Sequence, residues 1–120
     1  MARAIAFVPD LLFGSKVLGM LGAAGHDATL CGHAESLARE LARCSPDVLL
    51  VDLTDDVPGR VELLGRLRAA GRLDGVRTVA FYSHVDRDAR TIAEEHGFDV
   101  LVPRSRLARE GAAVVERALA

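Results

Sequence analysis

The chain predicts an α/β fold, a doubly wound sheet of five parallel strands in (βα)5 order. Three observations predict it. Five short apolar runs recur along the 120 residues, each followed by a longer stretch whose apolar residues have helical spacing. The first run, Ala4 to Val8, is apolar throughout rather than alternating, as expected when helices cover both faces of a sheet. Hydrophobic residues make up 50% of the chain, enough for a single domain over residues 1–120 to bury a core without disulfides or metal.

The first strand is "AIAFV", Ala4 to Val8. From Leu12 onward, Phe13, Val17, Met20, Leu21 and Ala24 recur at helical spacing, and Gly25 stops that helix. Gly14, Gly19 and Gly22 each weaken it by roughly 1 kcal/mol, so their expected use is close packing on the sheet. "ATLC", Ala28 to Cys31, is a short second strand. In the second helix Ala34, Leu37, Leu41 and Cys44 share one face, and Ser45-Pro46 ends it, because the residue before proline avoids the helical region.

"VLLVDL", Val48 to Leu53, is the most apolar strand and is expected at the centre. The third helix starts near Pro58 or Gly59 and turns inward Val61, Leu64 and Leu67, with Leu63 flanking. "RTVAFYS", Arg77 to Ser83, is the fourth strand. Asp86 suits the N-cap of a helix that faces Ala89, Ile92, Ala93 and His96 inward. "DVLV" is the fifth strand. Ser105 is expected to cap the last helix, on which Leu107, Gly111, Val114, Val115 and Ala118 line up.

Composition excludes several classes of function. The net charge is −2 and only one Tyr and four Phe occur, so neither a basic surface nor a stacking platform for nucleic acid is present. The apolar start is too short for a secretion signal or a membrane span, which places the protein in the cytoplasm. Cys31 and Cys44 fit no zinc-ligand spacing and read as small apolar residues of a reduced protein. His26, His33 and His96 read as helix-end residues, and no His pair has i, i+4 spacing.

In doubly wound sheets, sites form beyond the carboxyl ends of the strands. That rim collects Pro9 and Asp10, then Asp52, Thr54, Asp55 and Asp56, then Ser83 and His84, then Pro103, Arg104 and Ser105. Spacing alone reads these acids first as a solvated acidic rim. The other reading is a cation site, since clustered carboxylates repel unless they take up protons or a hard cation such as Mg2+.

From "AIAFVPD" to "VVERALA" the chain resembles the receiver domain of bacterial two-component response regulators, the CheY-like, flavodoxin-like fold. The resemblance implies strand order 2-1-3-4-5. "SPDVLLVDL" resembles the third strand of a receiver, which puts Asp52 at the phospho-acceptor position. "IAFVPD" resembles the first strand, whose two terminal acids hold Mg2+ in the family. Asp10 matches the second, and Pro9 replaces the first. Ser83 in "VAFYSH" matches the hydroxyl residue that bonds the phosphate. "DVLVPRS" resembles the fifth strand, which ends in Lys-Pro in the family. Here Pro103 takes the lysine position and Arg104 the proline position.

Other positions depart from the family as well. His84 stands where a small residue leaves the site open, Val100 replaces the switch aromatic, and the loop after Asp52 is about two residues longer than usual for the family, since Pro58 comes late. Weak Mg2+ binding by Asp10 and Asp52 is therefore expected, with Asp55 or Asp56 supplying the missing acid. The profile is that of an atypical or pseudo-receiver. It implies a stand-alone, non-enzymatic signalling protein that acts by contact with a histidine kinase or a downstream effector, with weak or absent phosphorylation of Asp52. The surface of helix four, strand five and helix five, with Arg104, Arg106 and Arg109 beside Leu107, is the expected interface and a candidate for homodimerisation.

Two other readings stand beside this one. In the first, Asp52 is a working phospho-acceptor, with Mg2+ on Asp10 and Asp52 and with Ser83 and Arg104 on the phosphoryl oxygens. In the second, the opening "AIAFVPDLLFGSKVLGMLGAAGHDATLC" belongs to a Rossmann-like nucleotide-binding module. The first two fingerprint glycines of that motif fall at Pro9 and Leu11, and only Gly14 remains.

Overall fold

The computed structural model describes residues 2–120. Strands and helices alternate as β1 Arg3–Phe7, α1 Leu11–Ala23, β2 Asp27–Cys31, α2 Ala34–Arg43, β3 Val48–Asp52, α3 Val57–Ala69, β4 Arg77–Tyr82, α4 Arg87–Glu95, β5 Val100–Pro103 and α5 Arg104–Leu119. The five strands form one parallel sheet in the order β2-β1-β3-β4-β5, as the resemblance implies.

The two-residue period of each strand divides the core into two layers. Ile5, Phe7, Leu49, Val51, Ala80 and Tyr82 face α2, α3 and α4. Ala4, Ala6, Val8, Val48, Leu50, Val79 and Phe81 face α1 and α5. All five residues of β3 are buried, the apolar run Val48–Val51 and the acid Asp52 that closes it. Fully burying a side chain of this size contributes about 1.5–3 kcal/mol, so the central strand anchors the sheet. Parallel strands on both sides of β3 bring the first four strand ends and the start of α5 to one edge.

Several local expectations change. Gly14 is the helix-to-sheet contact in α1, since a Cβ there would stand 2.7 Å from Leu30 Cδ1, whereas Gly19 and Gly22 have open space around them. Ala24 and Ala34 are exposed rather than inward-facing, and Cys44 and His96 are half-buried. α3 begins at Val57, one residue before Pro58, because Asp56 takes a left-handed conformation (φ 46°) and caps the helix from there. Asp86 caps α4 as its position predicts, accepting from the Ala89 N–H at 2.9 Å. Ser105 caps nothing. α5 starts at Arg104, directly after Pro103, and has no side-chain cap. Leu107 is fully buried and packs in the core, so it is not an apolar neighbour of the surface arginines. Arg106 pairs with Glu110 at 3.4 Å.

Candidate functional site

Asp52 closes β3, in register with Phe81 of β4. It is 3% exposed, and a carboxylate this deep needs donors. Thr54, two residues on, supplies them. Its N–H donates to Asp52 Oδ1 at 2.7 Å and its hydroxyl donates to the same oxygen, an Asx-type turn that begins the loop. The Asp52 main-chain oxygen accepts from Arg60 Nη1. Arg60 itself is buried, with its guanidinium 5.4 Å from the centre of the Phe7 ring.

Asp10 sits at the N-cap of α1. Its Oδ1 accepts from the Leu12 and Phe13 N–H groups at 3.0 and 3.2 Å. Its Oδ2 accepts from Arg104 Nη2 at 3.2 Å. The Arg104 guanidinium also lies 4.2 Å from the centre of the Phe13 ring. The Phe13 N–H is the main cause that lowers the Asp10 pKa. Partial desolvation opposes it, and the hydrogen bond and charge of Arg104 add to the lowering. Arg104 therefore meets Asp10, and among the described residues Asp52 has no basic side chain at ion-pair distance.

Ser83 and His84 follow β4 and line an open cleft of about 530 Å3 together with Phe13, Thr54, Arg104 and Ser105. His84 is exposed at its wall and leaves it open. Asp55 and Asp56 line a different cleft, toward α4, with Asp86 and Asp88. Asp56 Oδ1 accepts from the Gly59 N–H at 3.3 Å. Val100 is buried in the core beside Val79.

These placements test the Mg2+ expectation. Both oxygens of Asp10 are engaged, one by the helix start and one by Arg104. Asp52 Oδ1 is held by Thr54. Asp55 and Asp56 belong to another opening, and among the described residues no three His, Cys, Asp or Glu side chains are grouped to hold a metal ion. Mg2+ keeps several waters and binds through one or two carboxylates. With both Asp10 oxygens engaged, Asp52 Oδ2 is the one oxygen of this pair that accepts no hydrogen bond among the described residues, so the donor set as it stands does not fit a two-carboxylate Mg2+ site.

Sequence reasoning missed two residues. Arg60 occupies the inward stripe of α3 with Val57, Val61 and Leu64, at i, i+3, i+4 and i+7. That spacing was a readable signal of burial. His26 is not a free helix-end residue. Its buried ring accepts from the Ala2 N–H at Nδ1 (3.0 Å) and meets Glu116 Oε1 through Nε2 (3.1 Å), joining the start of β1 to α5.

No protein-family model and no curated protein matches the chain. Solved structures match it in fold. NtrX from Brucella abortus in complex with ADP superposes with a TM-score of 0.84 at 19% identity, over 98% of this chain and 26% of that one. The receiver domain of the Francisella response regulator 1452 gives 0.83 at 13% identity, over 99% and 97%. An atypical orphan response regulator gives 0.77 at 14% identity, over 98% and 94%. The chain thus has the fold of response-regulator receiver domains. It spans about a quarter of the NtrX chain and nearly all of the other two. No helix among the described residues is long and apolar enough to cross a membrane.

Proposed function

We propose that the chain is a receiver-like signalling module of the cytoplasm that acts by protein–protein contact, with phosphorylation of Asp52 weak or absent. The observation that carries this reading is the Arg104–Asp10 ion pair. The cation that follows β5 is engaged with the acid that follows β1, and Asp52 is left without a counter-charge for a transferred phosphoryl group. Thr54 supports the same reading, because two donors on Asp52 Oδ1 stabilise the carboxylate and make that oxygen a poorer nucleophile. The atypical orphan response regulator of the same fold is described as having a phosphorylation-independent regulatory mechanism. The partner is a histidine kinase or a downstream effector. A homodimer through α4, β5 and α5 would rest on Arg106 and Arg109 rather than on Leu107.

The working phospho-acceptor is the second reading, favoured by the open cleft that Ser83, Thr54 and Arg104 share. In it an Asp52 oxygen attacks the phosphorus of acetyl phosphate, the P–O bond to acetate breaks, acetate leaves with the electron pair, and an aspartyl phosphate forms. Incubation with acetyl phosphate and Mg2+, followed by intact-mass measurement, separates the two. The first reading expects little or no phosphoryl increment, well short of one per chain. Stoichiometric modification that Asp52→Asn abolishes would overturn it.

A further inference from the structure

A second cleft, of about 350 Å3, lies on the α2–α3 side of the sheet and plays no part in either reading of Asp52. It is bounded by the end of β1, the β2–α2 turn and the first turns of α3. Arg60 lines it and is 8% exposed. One guanidinium N–H group donates to the Asp52 carbonyl oxygen. Among the described residues no carboxylate stands at ion-pair distance from Arg60. A buried cation without an anion is costly, and a bound anion would relieve that cost. No side-chain nitrogen of Arg60 is both buried and unbonded, so its remaining N–H groups reach solvent beside the cleft.

The surroundings add a second cation. Arg66, further along α3, lines the same cleft. So do Gly32, His33 and Ala34 at the start of α2, a ten-residue helix in which His33 Nδ1 takes the Ser36 N–H and Glu35 stands in the first turn, leaving the Ala34 and Glu35 N–H groups as the uncapped donors. Asp56 is the single acid on the wall, and its Oδ1 is taken by the Gly59 N–H. Phe7 and Leu63 offer apolar wall for a compact body.

We infer that this cleft binds a small phosphate-bearing metabolite, its phosphate on the guanidinium groups of Arg60 and Arg66 beside the N-terminus of α2. Planar guanidinium forks match phosphate oxygens, and the volume lies at the small end of metabolite pockets. Because Arg60 also holds the Asp52 main chain, occupancy would give the domain an input other than phosphorylation. The inference does not depend on how Asp52 is used.

The test is an amide NMR titration with inorganic phosphate at constant ionic strength, with acetate in parallel. Saturable shifts are expected at residues 32–35 and 59–60, and acetate should not reproduce them. Arg66→Ala should weaken the phosphate affinity about ten-fold, the worth of one charge-assisted hydrogen bond. Arg60→Met should abolish it. If Arg60→Met does not fold, Arg66→Ala carries the test. Shifts that are absent or unsaturable at these amides, that acetate matches, or that Arg66→Ala leaves unchanged would overturn the assignment.

Discussion

Arg104 Nη2 donates to Asp10 Oδ2 at 3.2 Å, across 94 residues of sequence, while its guanidinium lies over the Phe13 ring. The contact ties the first residue of α5 to the cap of α1. It also takes the basic group of β5's end away from Asp52.

The Asp10 carboxyl is held below its ordinary value of 3.8, first by the Phe13 N–H and further by Arg104. A carboxyl with a lowered folded-state pKa contributes stability above its unfolded pKa, and that contribution is lost as pH falls through the folded value. Arg104→Ala is expected to move the Asp10 titration upward, yet leave it below the ordinary value because the Phe13 bond remains. Carbon-detected NMR of the carboxyl reads this directly. An unchanged midpoint would mean that the ion pair does not form in solution.

Thr54 is expected to stabilise the buried Asp52 rather than the loop alone. Thr54→Val keeps the shape and the N–H but removes the hydroxyl donor, at a cost of about 1–2 kcal/mol in urea unfolding. Thr54→Ser should restore most of it. Equal stability of the Val variant and the parent would show that the hydroxyl does not serve Asp52.

His26 and Glu116 form one contact of unequal weight. The His26 side chain is 4% exposed and that of Glu116 is 64% exposed. Because Nδ1 accepts from the Ala2 N–H, the ring proton of the neutral form lies on Nε2, toward Glu116. His26→Ala leaves a cavity and an unpaired N–H, and is expected to cost about 2–3 kcal/mol. Glu116→Ala, at an exposed partner, should cost about 0.5 kcal/mol or less. Chemical denaturation of both variants checks the ratio, and similar losses would contradict it.

Much of this molecule was readable from pattern. The apolar runs marked all five strands, and Leu37, Leu41, Leu107, Val114 and Val115 marked the buried helix faces. Asp52 reached the rim where the alternation of strands and helices puts it. Asp86 capped α4 because capping is a contact between residues three apart. Ser105 failed as a cap because the helix could begin on Pro103-Arg104 without one.

The sequence by itself determined the fold and the position of Asp52 at the carboxyl edge of the central strand. Apolar periodicity is local, and burial of a continuous face follows from it whatever lies far along the chain. Only the tertiary structure decided which groups meet at that edge. Arg104 chose Asp10, Arg60 turned under the Asp52 carbonyl, and Asp55 and Asp56 went to another cleft. The reason is physical. A long charged side chain has several rotamers within reach of different acids, and the choice among them depends on distances between elements remote in sequence.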